Sequence, residues 1–90
     1  MRIVWRSRAE LELERQLNHL AAENPFASDR MRDRVEERVG ALLQFPNTGR
    51  PSRREGVREL VISGTPYLAV YRVRGDMIEI IRFFHTSQNR

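Results

Sequence analysis

Residues 57–85 constrain this chain more than any other stretch. Two punctuators, Gly64-Thr65-Pro66 and Gly75-Asp76, cut them into three short runs rich in β-branched and aromatic residues. Such side chains fit a pleated, half-buried surface, and Gly, Pro and Asp between them mark turns, so the stretch predicts an antiparallel meander. Its charge is unusual. Arg58, Arg72 and Arg82 fall one per strand, where a pure core would hold Val or Ile. A small sheet with an arginine on each strand is built to present cations.

The first half supplies the layer on which the sheet packs. Residues 1–5 alternate Ile3 and Trp5 against Arg2 and Val4 and read as a short strand. Ser7 with Glu10 three positions on is a capping-box pattern, which satisfies unpaired backbone donors at a helix start. Leu13, Leu17, Leu20 and Ala21 then recur at helical spacing, with Glu12, Glu14 and Arg15 facing away. Asn24-Pro25 ends this helix. A second carries Met31, Val35, Val39 and Leu42 on one stripe, with Arg30, Arg34, Glu37 and Arg38 outside. The short connection makes an antiparallel helical hairpin. Residues 45–51, with two prolines and a glycine, stop the second helix, and 52–56 form a polar loop.

The order is thus β-α-α-β-β-β. Neither helical stripe can stay in water, so the hairpin should cover one face of the sheet: an α+β, two-layer sandwich over residues 1–90 as a single domain. The N-terminal strand is most simply placed beside a later one, leaving the other sheet face partly open.

Composition narrows the function. A chain of 90 residues buries only about 60–65% of its unfolded surface, so a partner would add usefully to its stability. The hydrophobic and charged fractions, 40% and 31%, are those of a globular domain rather than a disordered tail. No apolar run approaches a membrane span and no signal-peptide pattern opens the chain, so a cytoplasmic protein without membrane contact is expected. Cysteine is absent, and His19 and His85 lie far apart, so neither metal nor cofactor is expected. The net charge is +4, and all sixteen cations are arginines. Each is a permanently charged planar fork suited to carboxylate or phosphate, and none can act as a lysine base. An acidic partner is implied, nucleic acid or protein.

Several fragments in order carry a family resemblance: Ile3-Val4-Trp5, Phe45-Pro46 with Gly49-Arg50-Pro51, Val57-Arg58-Glu59-Leu60-Val61, Pro66-Tyr67 with Val70-Tyr71-Arg72-Val73, and Ile78-Glu79-Ile80-Ile81-Arg82 with His85. Together they resemble toxins of the RelE/ParE superfamily, the toxic halves of bacterial type II toxin–antitoxin modules. The resemblance covers essentially the whole chain and implies the same sandwich. RelE- and YoeB-like members are ribosome-dependent endoribonucleases that cut mRNA, whereas ParE-like members poison DNA gyrase. Where the ribonucleases commonly hold an arginine three residues before the third-strand tyrosine, this chain has Leu68 before Tyr71. The lysines of the RelE acid–base set are missing, and a YoeB-like terminal His-Tyr pair is half present as His85-Thr86. The tail through Ser87-Gln88-Asn89 resembles the ParE-like pattern. The resemblance therefore implies a ParE-like inhibitor of DNA gyrase that arrests growth, neutralised by a cognate antitoxin in a hetero-oligomer. The alternative is a RelE-like ribosome-dependent mRNA interferase, acting on ribosome-bound mRNA, with Arg58, Arg82 and His85 as its catalytic set.

Residue by residue, two readings stand side by side. Arg58, Arg72 and Arg82 form a cationic strip that grips the target, or Glu59 and Glu79 pair with neighbouring arginines across strands. His85 is either a target contact or residual base, or a hydrogen-bonded histidine closing the last strand. Arg50, Arg53 and Arg54 are loop cations, solvated or in contact with the target. Arg30, Arg32, Arg34 and Arg38 form a wet helix face, or Arg30, Arg34 and Arg38, with Arg72, receive the acidic antitoxin. Tyr67 and Tyr71 share one sheet face, Phe83 falls with Ile81, and Phe84 with Ile80 and Arg82. Trp5 reads as core at the sheet edge, and His19 as a partly buried surface residue.

Overall fold

A computed structural model describes residues 1–88. Strand β1 (Arg2–Trp5) leads into helix α1 (Ser7–Glu23), helix α2 (Pro25–Gly40) and a 3₁₀ turn (Ala41–Leu43). Next come strands β2 (Arg50–Pro51), β3 (Arg58–Val61), β4 (Tyr67–Arg74) and β5 (Met77–His85), and Thr86–Gln88 form a final 3₁₀ turn. One five-stranded sheet has the order β1-β5-β4-β3-β2. All neighbours are antiparallel except β1 and β5, which run parallel because the helical hairpin forms the crossover between β1 and the meander. The expected two-layer sandwich is what forms. The two-residue β2, inside a stretch that reads as loop in the sequence, is an addition to it.

The helix starts differ from the capping-box expectation. Ser7 is already the first residue of α1, its cap position is Arg6, and no side chain caps that end. Asn24 instead does the capping, at α2, where its side chain accepts from the Ala27 N–H while Pro25 occupies the first turn. A proline there loses no helical hydrogen bond. Between the helices, the buried Ser28 hydroxyl donates to the Leu17 carbonyl at 2.8 Å.

The main core lies between hairpin and sheet. Ala9, Leu13, Leu17, Met31, Val35, Val39 and Leu42 meet Leu60, Ile62, Ala69, Tyr71, Ile78, Ile80 and Phe83. Trp5 and Tyr67 pack against its edge, as expected. On the opposite sheet face a smaller cluster joins Val57, Leu68 and Val70 with the half-buried Ile81 and Phe84.

That division reverses the expected placement of two aromatics. Val70 pairs with Arg82 but Tyr71 pairs with Ile80, so β5 carries one extra residue, Ile81, at a bulge. A single inserted residue flips every side chain beyond it to the other face. Phe83 consequently joins Ile80 in the main core, and Phe84 joins Ile81 outside. The hairpin between β4 and β5 turns on Gly75, whose φ of 61° suits the first position of a tight two-residue loop.

Candidate functional site: arginine clusters and a tied loop

The face alternation decides where the strand arginines go. Arg58 pairs with Tyr71, a main-core residue, and lies on the helix side of the sheet. Its guanidinium donates to the carbonyls of Gly49 (2.7 Å) and Asn47 (3.4 Å). Beside it the buried Tyr71 hydroxyl donates to the Pro46 carbonyl at 2.7 Å and accepts from the Gly49 N–H at 2.9 Å. Side chains thus hold residues 46–49 through their backbone atoms. Gly49 is required sterically, since an added Cβ would lie 2.6 Å from the Tyr71 ring and 3.0 Å from the Glu59 carbonyl. The tied loop displays Phe45, 61% exposed, at its start. Arg50 pairs with Glu59 at 2.9 Å, whereas the exposed Arg53 and Arg54 side chains have no ion pair among the described residues.

Arg72 lies on the opposite face. It faces Glu79 across β4 and β5, and its Nε donates to that carboxylate at 3.0 Å. Arg6 binds the second carboxylate oxygen, and Arg74 approaches to 3.7 Å. Glu79 is completely buried beneath these three partly exposed arginines. The Arg6 hydrogen bond, joined by that of Arg72 and by both charges, outweighs desolvation and holds the Glu79 carboxyl below the ordinary range. Glu59 and Glu79 do pair with arginines across strands, as one of the two sequence readings has it. Glu79 as the centre of a cluster is absent from that reading. Its signal is present in the sequence: a lone carboxylate in the apolar run 78–81 must find a counter-charge.

Arg82 belongs to neither group. It forms a forked pair with Glu12 of α1, at 3.1 and 2.9 Å, and its guanidinium sits 5.0 Å from the Phe84 ring centre. Glu12 also accepts the Phe83 N–H at 3.0 Å, beyond the point where β1 stops pairing with β5. Burial raises the Glu12 carboxyl, but the Arg82 and Phe83 hydrogen bonds, with the charges of Arg82 and Arg8, lower it overall. His85 closes the last strand. Its ring stands edge-on to Tyr67, and Nδ1 accepts the Ser87 N–H at 3.1 Å and meets its hydroxyl at 2.8 Å. Arg58, Arg72 and Arg82 thus do not line up as one strip. His19 is exposed.

On α2, Arg34 and Arg38 donate to the carbonyls of Ser63 and Val61, both at 3.1 Å, and fasten the helix to the meander. With Arg30, Asp33, Glu37 and Ser63 they line an open depression of about 420 Å³. A second, of about 430 Å³, runs beside β1 and includes Ile3, Trp5, Leu13, Glu14, Val35 and Val39. No group of three metal-ligating side chains exists among the described residues, and none of their helices is long and apolar enough to cross a membrane. Asn89 of the polar tail lies outside the described residues.

Compared with known families, residues 3–90 match the model of the ParE toxin of the type II toxin–antitoxin system parDE. The chain belongs to the ParE toxin family. A relative from Sinorhizobium fredii (strain NBRC 101917 / NGR234), named "Putative toxin Y4kP", is 36% identical over 97% of this chain and 90% of its own length. Among solved structures, a chain of the chromosomal ParDE toxin–antitoxin system from P. aeruginosa superimposes with a TM-score of 0.85 at 31% identity, covering 94% of this chain and 95% of that one. The ParE-like branch of the resemblance, and the toxin assignment with it, therefore stands.

Proposed function

We propose that this ParE-family toxin arrests growth as a non-enzymatic inhibitor of DNA gyrase, and that an acidic cognate antitoxin neutralises it in a hetero-oligomeric complex. The observation that carries the reading is how the candidate ribonuclease set is engaged. Arg82 is committed to Glu12, and Arg58, on the helix side of the sheet, to two backbone carbonyls. Arg58 pairs with Tyr71 and His85 with Tyr67, four residues apart on β4, which separates them by about 13 Å along the strand. General acid–base cleavage needs its groups within hydrogen-bond reach of one phosphate and its ribose. This arrangement supports a gripping surface in preference to a cutting one.

Target contact falls on the tied loop and the adjoining polar segment, with exposed Phe45, Arg53 and Arg54 beside Arg50 and Arg58, and with Arg72, Arg82 and His85 on the meander. Rigid aromatic anchors ringed by arginine are the usual carriers of interface energy. Antitoxin contact falls on Arg30, Arg34 and Arg38 of α2, with Arg72. Purified chain should block supercoiling by gyrase and leave ribosome-bound mRNA whole; cleavage of mRNA in the ribosomal A site would refute the proposal.

A further inference from the structure

We propose that Tyr71 and Arg58 are positioning residues for target contact. Acting through the backbone of residues 46–49, they hold Phe45 as a rigid aromatic anchor that enters an apolar pocket of the target protein. The inference deepens the gyrase reading and rests on it for the identity of that target.

The backbone comes first. A surface loop ordinarily leaves its polar groups to water and stays mobile. Here the carbonyls of residues 45, 46, 47 and 49 all have protein donors. That of Phe45 accepts from the Thr48 hydroxyl at 2.7 Å and from the Thr48 N–H at 3.2 Å. Those of Pro46 and Asn47 accept from Tyr71 and Arg58, and Gly49 gives its N–H to Tyr71 and its carbonyl to Arg58. The Phe45 N–H donates to the Ala41 carbonyl at 3.0 Å, so the chain is fixed on both sides of the ring. Pro46 adds a locked φ.

The donors explain why the loop is stiff. Tyr71 is buried and Arg58 half-buried, and they lie opposite each other across β4 and β3. Neither can follow a moving segment, so both carry the rigidity of the sheet into residues outside it. The Arg58 bonds come from a charged group and are about twice as strong as neutral ones.

What is held is an exposed ring. Phe45 is 61% exposed, so most of its apolar surface contributes nothing to the core. On an immobile backbone such a ring loses little conformational freedom when a partner buries it. The open depression of about 420 Å³ at residues 44–48 gives a partner's surface room around it. An apolar ring at the best-defined point of the loop selects an apolar pocket, and the exposed Arg53 and Arg54 of the adjoining segment are left for its polar rim.

The test measures supercoiling of relaxed plasmid by DNA gyrase in the presence of the whole chain or its variants, each confirmed folded by circular dichroism at the assay temperature. Phe45→Ala should raise the half-inhibitory concentration at least about tenfold, and Tyr71→Phe about fivefold. Phe26→Ala, which removes the other strongly exposed ring, should stay within about twofold. The double variant decides between positioning and general stability. If Tyr71 acts through Phe45, Tyr71→Phe adds less than about twofold in the Phe45→Ala background. A further loss of about fivefold there overturns the positioning role, as does full inhibition by either single variant or an equal loss in Phe26→Ala. Arg58→Gln replaces Tyr71→Phe in the same cycle should that variant not fold. Failure of the unaltered chain to inhibit gyrase refutes the gyrase reading alone, and the cycle is then scored on growth arrest at equal soluble expression. The same non-additive pattern there supports positioning, and its absence, including no arrest at all, overturns it.

Discussion

At the scale of single residues, the Tyr71 hydroxyl does what no backbone pairing does for residues 46–49. It satisfies the Gly49 N–H and the Pro46 carbonyl together, in a place where Gly49 is itself buried. Tyr71→Phe keeps the ring in the core and strands the Gly49 donor, which costs about 1–3 kcal/mol. Urea unfolding should show that loss as a lower midpoint at unchanged slope. Gly49→Ala attacks the same contact from the other side, where a methyl meets ring and carbonyl at once; about 1–3 kcal/mol of overpacking is expected in the same measurement. Glu79 makes a different prediction. Its carboxyl is lowered in the folded chain from an ordinary 4.5, so the folded state binds protons less readily than the unfolded one. The stability this gives is fully present above the unfolded value and is lost as pH falls through the folded one. Glu12 shifts in the same direction and adds to the slope. The urea midpoint should hold from about pH 7 to about pH 5 and then fall. Glu79→Gln should begin lower and fall less steeply, and a parallel curve would show that Glu79 does not carry the effect.

At the scale of elements, Glu12 replaces a missing strand. Past Ile80, β5 has lost β1, and the Phe83 N–H and the Arg82 fork both turn to one carboxylate on α1. Glu12→Ala leaves the amide without its partner and should cost about 1–3 kcal/mol. Hydrogen exchange should localise the damage, with the Phe83 amide losing far more protection than that of Ile80. Uniform loss along β5 would mean that Glu12 only adds charge. The same region shows what sequence can and cannot disclose. Strands, helices and the order β-α-α-β-β-β are legible, because leucines three and four apart and β-branched runs between glycines are local patterns. The bulge at Ile81 is not, for it is a property of register between β4 and β5, and it alone sends Phe83 inward. Ser7 and Glu10 carry a capping signal, but the chain leaves β1 through Arg6 and enters the helix one residue too soon for Ser7 to cap it. The arginines are visible as cations on strands, yet their partition between faces needs the pairing. Glu59 and Glu79 are legible as cross-strand partners, while the convergence of Arg6 on Glu79 depends on the parallel contact of β1 with β5, distant in sequence.

At the scale of the molecule, fold and partner meet in stability. A 90-residue chain with one main core has little margin, and all of its side-chain cations are arginines, distributed over both faces of the sheet. Like charges so placed repel one another, and an acidic partner removes that repulsion as it binds. Binding to the folded chain alone stabilises it by about 2.7 kcal/mol at a hundredfold excess over Kd. For a domain of this size that raises Tm by roughly 10–20 °C. Because the proposed antitoxin contacts are surface arginines, the association should be steered by charge. Raising salt from about 0.05 to 0.5 M should slow association by an order of magnitude or more and change dissociation much less. Stopped-flow mixing of toxin and antitoxin gives both rates. Reversing α2 alone, with Arg30→Glu and Arg34→Glu, should reproduce the loss of association rate at low salt and remove most of its salt dependence. Should salt act on dissociation instead, the complex would be held by apolar burial, and the depression beside β1 with Ile3, Trp5, Val35 and Val39 would become the seat of the antitoxin in place of the α2 arginines.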